Sequence, residues 1–210
     1  MCGVWMARTP SLWGKPRKRG AGGAISLRNC YAEMCRERFA GDGGLEVVHA
    51  AMGDEDAVRT IYKAAHNYGA NSLITEIMFD RRPNSAVRPD TVIEEEEIRL
   101  LDGSRWLLER GIEHVDVIKT DTEGYDYAVL DGLRDWLVRT GCRPVLHVEL
   151  LAEDYHPLAE RQRAALDAYV PLGYQAVDLE RDLSGTVGDV LLIPEGRQPL
   201  GGPQRGAPRS

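Results

Sequence analysis

The stretch VDVIKTDTEGYDYAVLDGL, residues 115–133, constrains the fold of this chain more than any other. Residues 115–120 are a short run rich in strand-forming side chains. The run stops on Asp121, places Glu123 two residues later and turns on Gly124. Beyond the turn, Val129, Leu133, Trp136 and Leu137 recur at spacings of four and three, the period of a helix buried along one side. A buried strand that ends in two carboxylates and passes into an amphipathic helix is one half of a β-α unit. Repeated, such units build a sheet with helices packed on its faces. Gly132 inside the helix costs roughly 1 kcal/mol relative to Ala, which points to close packing at that position.

The rest of the chain supplies further pieces of the same kind. Residues 24–27 read as a strand and 29–39 as a helix broken by Gly41-Asp-Gly-Gly44. Residues 45–51 form a mostly apolar strand, 52–56 a turn, and 58–63 alternate like a half-exposed strand. Residues 67–90 contain Gly69, Pro83 and Pro89 and are expected to be loop. The run Glu94-Glu-Glu-Glu97 reads as a solvated surface. A short helix is expected over 104–110, a strand over 144–151, and a helix from Pro157 to about Val170. Residues 174–179 and 187–193 read as a closing antiparallel pair. The expected fold class is α/β, with a mostly parallel sheet and that pair at one edge.

A chain of 210 residues suits one domain with a single core. At 43% hydrophobic and 28% charged it has the composition of a globular protein. No apolar run approaches the roughly 18 residues a membrane span needs. The net charge of -7 is unevenly spread: the first 32 residues carry six basic side chains and no acid. A body so acidic argues against nucleic acid as a partner, because phosphate contacts need clustered Lys and Arg. Residues 1–23 are expected to be a basic, poorly packed head, residues 24–195 the domain, and residues 196–210 a disordered Gly/Pro/Arg tail. The head lacks the continuous apolar core of a secretory signal, so a cytoplasmic location is expected; its Arg-rich, acid-free composition leaves an organellar one as the alternative. Four cysteines (Cys2, Cys30, Cys35, Cys142) show no CxxC pairing and read as reduced thiols.

Spacing alone leaves two roles for Asp121 and Glu123. Either they line a site beyond the carboxyl end of a strand, where ligands bind in open α/β sheets, or one of them caps the helix that follows. His147-Val-Glu149, with His156 nearby, has the face-sharing geometry of metal ligands, but a structural histidine is the expectation and no metal is assigned. Ser72 has no histidine-and-acid context for a hydrolase triad.

The segment Ile118 to Gly132, IKTDTEGYDYAVLDG, resembles the hallmark of the FkbM family of S-adenosylmethionine-dependent methyltransferases: Lys-x-Asp-x-Glu-Gly, an acid two residues on, then an apolar residue, Leu, any residue and Gly. Val47-Val-His-Ala-Ala-Met-Gly-Asp54 is similar to the family's third strand and turn, Leu100-Leu-Asp102 to its Leu-Asp step, and Val145-Leu-His-Val-Glu149 to its fifth strand ending in Glu. The resemblance implies a class I methyltransferase (Rossmann-like) sheet of strand order 3-2-1-4-5-7-6. It implies S-adenosyl-L-methionine as cofactor and methylation of a hydroxyl on a small molecule, sugar or natural product. It further implies catalytic roles for Asp121 and Glu123, cofactor contacts from Ala51, Asp54 and Asp121, and a substrate contact from Glu149.

The family's opening strand and glycine loop have no match here. Gly20-Ala-Gly-Gly23 precedes a strand instead of following one, and Arg28 and Asn29 stand where an acid is expected after the second strand. The domain is therefore expected to be N-terminally incomplete. Gly3-Val-Trp-Met-Ala7 is a candidate for the central position, although no crossover helix is readable between it and Ile25. Two functional classes follow: a methyltransferase, or a non-catalytic binding protein that keeps the carboxylate half of the fold.

Overall fold

The structure is a computed structural model, and it describes residues 3–7, 22–26, 29–38, 40, 45–65, 67, 70–80, 87–88, 90–181 and 187–196. In chain order the elements are β1 (Gly3–Ala7), β2 (Gly22–Ser26), α1 (Asn29–Arg38), β3 (Leu45–His49), β4 (Ala51–Gly53), β5 (Ala57–Ala64), β6 (Asn71–Ser72), α2 (Thr75–Met78), β7 (Ile93–Asp102), α3 (Gly103–Glu109), β8 (Val117–Asp121), α4 (Asp126–Thr140), β9 (Val145–Leu151), α5 (Ala159–Asp167), β10 (Tyr174–Arg181) and β11 (Val187–Pro194). A 3-10 turn at Val170–Leu172 separates α5 from β10, so the helix expected to run to Val170 ends earlier.

Seven strands form one sheet in the order β10-β11-β9-β8-β1-β2-β3. This is the spatial order expected, with Gly3–Ala7 in the central position. The expectation of a mostly parallel sheet is corrected: only β8–β9 and β2–β3 are parallel, and the other neighbours are antiparallel. The reason lies at the centre. A parallel neighbour requires a crossover of a dozen or more residues, usually a helix. Ala7 instead pairs directly with Gly22, so β1 runs against both β2 and β8 and the chain re-enters the sheet at the end where it left. Both inner edges thereby find partners, where each unpaired buried backbone group costs about 1–3 kcal/mol.

The second sheet, β4-β7-β5-β6, differs more from the sequence expectation. Met52 and Gly53, read as the start of a turn, join Ala51, read as the end of the preceding strand, in β4, which pairs in parallel with Leu100–Asp102 of β7. The acidic run read as solvated surface is part of β7: Glu94, Glu95 and Glu97 are exposed and Glu96 pairs with Lys63 of β5. Ile98 and Leu100 on the same strand are buried with Ile61, and they supply the packing that the four glutamates masked in the sequence.

α4 packs on one face of the large sheet. Val129, Leu133, Trp136 and Leu137, the expected apolar stripe, are all 0% exposed, as are Ile118 and Leu146 beneath them. Gly132 is where β4 meets the helix: a Cβ there would lie 1.8 Å from the Gly53 carbonyl oxygen. Ser104 on α3 closes this junction, its Oγ donating to the Gly132 carbonyl (2.5 Å) and accepting from the Trp136 amide (2.8 Å). α4 ends at Gly141, left-handed at φ 67°. Most of the basic head, the Gly41–Gly44 break and the Gly/Pro/Arg tail after Gly196 lie outside the described residues. Among the described residues, no helix is long and apolar enough to cross a membrane, and Cys35 and Cys142 are free thiols.

Candidate functional site

β8 and β9 are parallel neighbours whose register pairs Lys119 with His147 and Thr120 with Val148. Side chains alternate across a strand, so Ile118, Thr120, Leu146 and Val148 face α4. Lys119, Asp121, His147 and Glu149 share the opposite face, with Asp121 abreast of Glu149 at the carboxyl end. Glu123 follows in the turn with φ 52°, the one described residue other than glycine with a positive φ. One carboxylate oxygen from each of Asp121, Glu123 and Glu149 lies within 4.8 Å of the others, and all three side chains are half-buried.

Such crowding has an electrostatic consequence. Burial, then the charges of Asp121, Glu123 and Asp126, push the Glu149 carboxyl up to about 8, with Lys119 pulling the other way. The trio therefore holds a proton near neutral pH, and that proton belongs to the group more than to one residue. Lys119 Nζ donates to Asp121 Oδ2 at 2.7 Å. Burial works to lower the Lys119 ammonium, but the Asp121 hydrogen bond and the surrounding carboxylates outweigh it and leave the pKa raised. Behind the turn Asp126 is buried, and its Oδ2 accepts from the Thr122 amide at 3.3 Å. Burial pushes Asp126 up to about 6 against the neighbouring Thr120 and Thr122 hydroxyls.

The structure brings Asp121, Glu123 and Glu149 together and places the other two predicted site residues apart from them. Ala51 is buried in β4 against Ile61, Ile98 and Leu100. Asp54, just beyond β4, has its backbone against Gly132 and its carboxylate 4.0 Å from Arg161. His147 pairs with Asp189 of β11 at 2.8 Å, and His156 is turned to the Gly124 carbonyl instead of toward Glu149. Lys119, Ser72, Asp126 and His156 all touch the acidic turn without having been assigned to it from sequence. For Lys119 a signal existed: it precedes Asp121 by two residues on a strand and so shares its face. The trio offers only oxygen donors, the kind hard cations take, and Lys119 already lies on one of them. A negative cluster at the mouth of a sheet also suits a sulfonium cation.

A family model described as the methyltransferase FkbM domain matches residues 17–170. The chain belongs to the FkbM methyltransferase domain family. The matched span contains the whole second sheet, the acid trio and both Ser72 and His156; β1, β10 and β11 lie outside it. Among solved structures, the methyltransferase FkbM from Methylobacillus flagellatus is similar at 11% identity with a TM-score of 0.48. That match covers 81% of this chain and 36% of the other, so this FkbM-domain chain spans little more than a third of that protein's length. No curated protein matches the chain.

Proposed function

We propose that this FkbM-domain chain is an S-adenosylmethionine-dependent methyltransferase that methylates a hydroxyl of a small molecule, sugar or natural product at the acid trio. One observation carries the reading: Asp121, Glu123 and Glu149 converge at the carboxyl ends of two parallel strands, the place where open α/β sheets bind ligands. Bound S-adenosylmethionine would supply a methyl carbon on a cationic sulfur for transfer to the acceptor oxygen, with the neutral thioether as leaving group. The residues of the chain do the rest. Asp121, anchored by Lys119, presents negative charge to the cation. Glu149, in its ionised form, accepts a hydrogen bond from the acceptor hydroxyl and takes its proton, and with its carboxyl raised to about 8 that base form grows as pH rises toward that value. Glu123 fixes the oxygen for the in-line approach at roughly 3–3.5 Å. Ala51, packed in β4, and Asp54, beside Arg161, lie apart from the trio and carry no step of this reading. The acidic body favours a small-molecule acceptor over nucleic acid or a membrane surface.

A second reading, a non-catalytic binding protein, is favoured by the reversed central strand. With β1 antiparallel to β8, no described strand delivers a glycine-rich loop beside Asp121. Isotope-labelled S-adenosylmethionine with a panel of hydroxylated acceptors separates the two. Methyl incorporation that falls about 10²–10⁴-fold in Asp121→Asn supports the enzyme. An unchanged rate in that variant removes Asp121 from the chemistry. Absence of both incorporation and calorimetric cofactor binding supports the binding protein.

A further inference from the structure

We infer that Ser72 and His156 are positioning residues that clamp the two carbonyls of the acidic turn and so hold the Glu123 carboxylate against Asp121 and Glu149; the clamp matters for chemistry on the reading that the trio is the reacting site. The turn needs holding. After β8 the chain reverses into α4 within four residues, with Glu123 at φ 52° and Gly124 at φ 91°. A non-glycine residue in the left-handed region is strained by about 1–2 kcal/mol. A Cβ on Gly124 would lie 2.6 Å from Ile77 Cδ1 and 2.9 Å from Leu151 Cδ1, so the backbone is pressed against packed side chains.

Two buried side chains from different parts of the chain take the carbonyls of this turn. Ser72, at the end of β6 and 0% exposed, donates from Oγ to the Glu123 carbonyl at 2.9 Å. The same Oγ accepts from the Ile74 amide at 3.1 Å, which commits its proton to Glu123. His156, beyond β9 and 5% exposed, has Nε2 2.8 Å from the Gly124 carbonyl. Its Nδ1 lies 2.9 Å from the Leu158 amide, an obligatory donor, so Nδ1 is the acceptor and Nε2 carries the hydrogen. Burial lowers the imidazole pKa, with the Gly124 carbonyl opposing it, in keeping with a neutral ring. Neither side chain is placed to touch a ligand directly; each fixes the peptide groups from which the Glu123 side chain is aimed.

If the clamp is released, Glu123 relaxes out of the left-handed region and its carboxylate leaves the trio. The groups around Glu149 are then Asp121, Asp126, Lys119 and, opposite it on β11, Asp189 paired with His147, with one repulsive charge fewer. The test reads the trio without any methyl transfer: a 13C-carboxyl NMR titration of the full chain, wild type against Ser72→Ala, His156→Ala and His156→Gln. The highest carboxyl pKa is expected to fall by roughly one unit in the two alanine variants and to be restored in His156→Gln, whose amide nitrogen reaches the place of Nε2. Folded alanine variants that retain the wild-type titration overturn the proposal. Should they fail to fold, the wild-type imidazole decides: a long-range 15N spectrum is expected to show the Nε2-protonated neutral tautomer near pH 7. An Nδ1-protonated or charged ring there overturns it. Methyl incorporation judges the enzyme reading separately, so the two fail in distinguishable ways.

Discussion

The two faces of β8 and β9 divide the work of the molecule between them. Toward α4, Ile118, Thr120, Leu146 and Val148 are 0% exposed and continuous with the core. Toward the other side the same strands present Lys119, Asp121, His147 and Glu149, all half-buried and polar or charged. The side-chain period of two lets one strand pair meet both demands. Because the α4 face holds the sheet rigid, the opposite face can keep like charges within 4.8 Å of one another, an arrangement that a loosely packed strand pair would relax. Substitutions on the packed face should thus report on stability, and those on the charged face on titration and chemistry.

The largest effect is expected at the α4–β4 junction. Gly132→Ala sets a methyl against the Gly53 backbone carbonyl at 1.8 Å, and neither backbone can give without parting β4 from α4. A loss of at least about 3 kcal/mol is expected in urea unfolding, or failure to fold. Leu133→Ala, which removes a fully buried side chain of the same helix, should cost roughly 2–5 kcal/mol through a cavity. A cost under about 1 kcal/mol at either position would mean that the packed face does not hold the sheet.

On the charged face the sign reverses. The folded-state pKa of Glu149 is raised to about 8, so the folded chain holds a proton that the unfolded chain has released. That contribution is fully present below the unfolded value near pH 4.3 and is lost as pH rises through about 8. Glu149→Gln cannot ionise, and should be more stable than wild type by roughly 1–2 kcal/mol at about pH 9 and indistinguishable at about pH 4, after allowance for partial exposure. Urea midpoints at the two pH values check it. A variant destabilised equally at both would make Glu149 a packing residue.

Much of this division was legible in residues 115–133, since the strand, the acidic stop, the turn and the helical stripe are consecutive there. Even the close contact at Gly132 announced itself as a glycine in a helix interior. β4 was not legible, because three residues carry no period. The four glutamates of β7 hid the alternation of Ile98 and Leu100. The direction of β1 was not legible either, since strand-forming residues pair equally well both ways and direction depends on what connects them. Asp121 and Glu123 stood out by adjacency and Glu149 by resemblance. The turn's carbonyl partners did not, because Ser72 is 51 residues from Glu123 and His156 is 32 from Gly124. Contacts of that range leave no local pattern.

Three carboxylates are forced together at the end of β8 and β9. A 13C-carboxyl NMR titration of the wild-type chain beside Glu149→Gln tests this most directly. One carboxyl is expected to titrate near 8 in the wild type and to be absent from the variant. Wild-type carboxyls that all titrate below about 5, the range of isolated Asp and Glu, would contradict it.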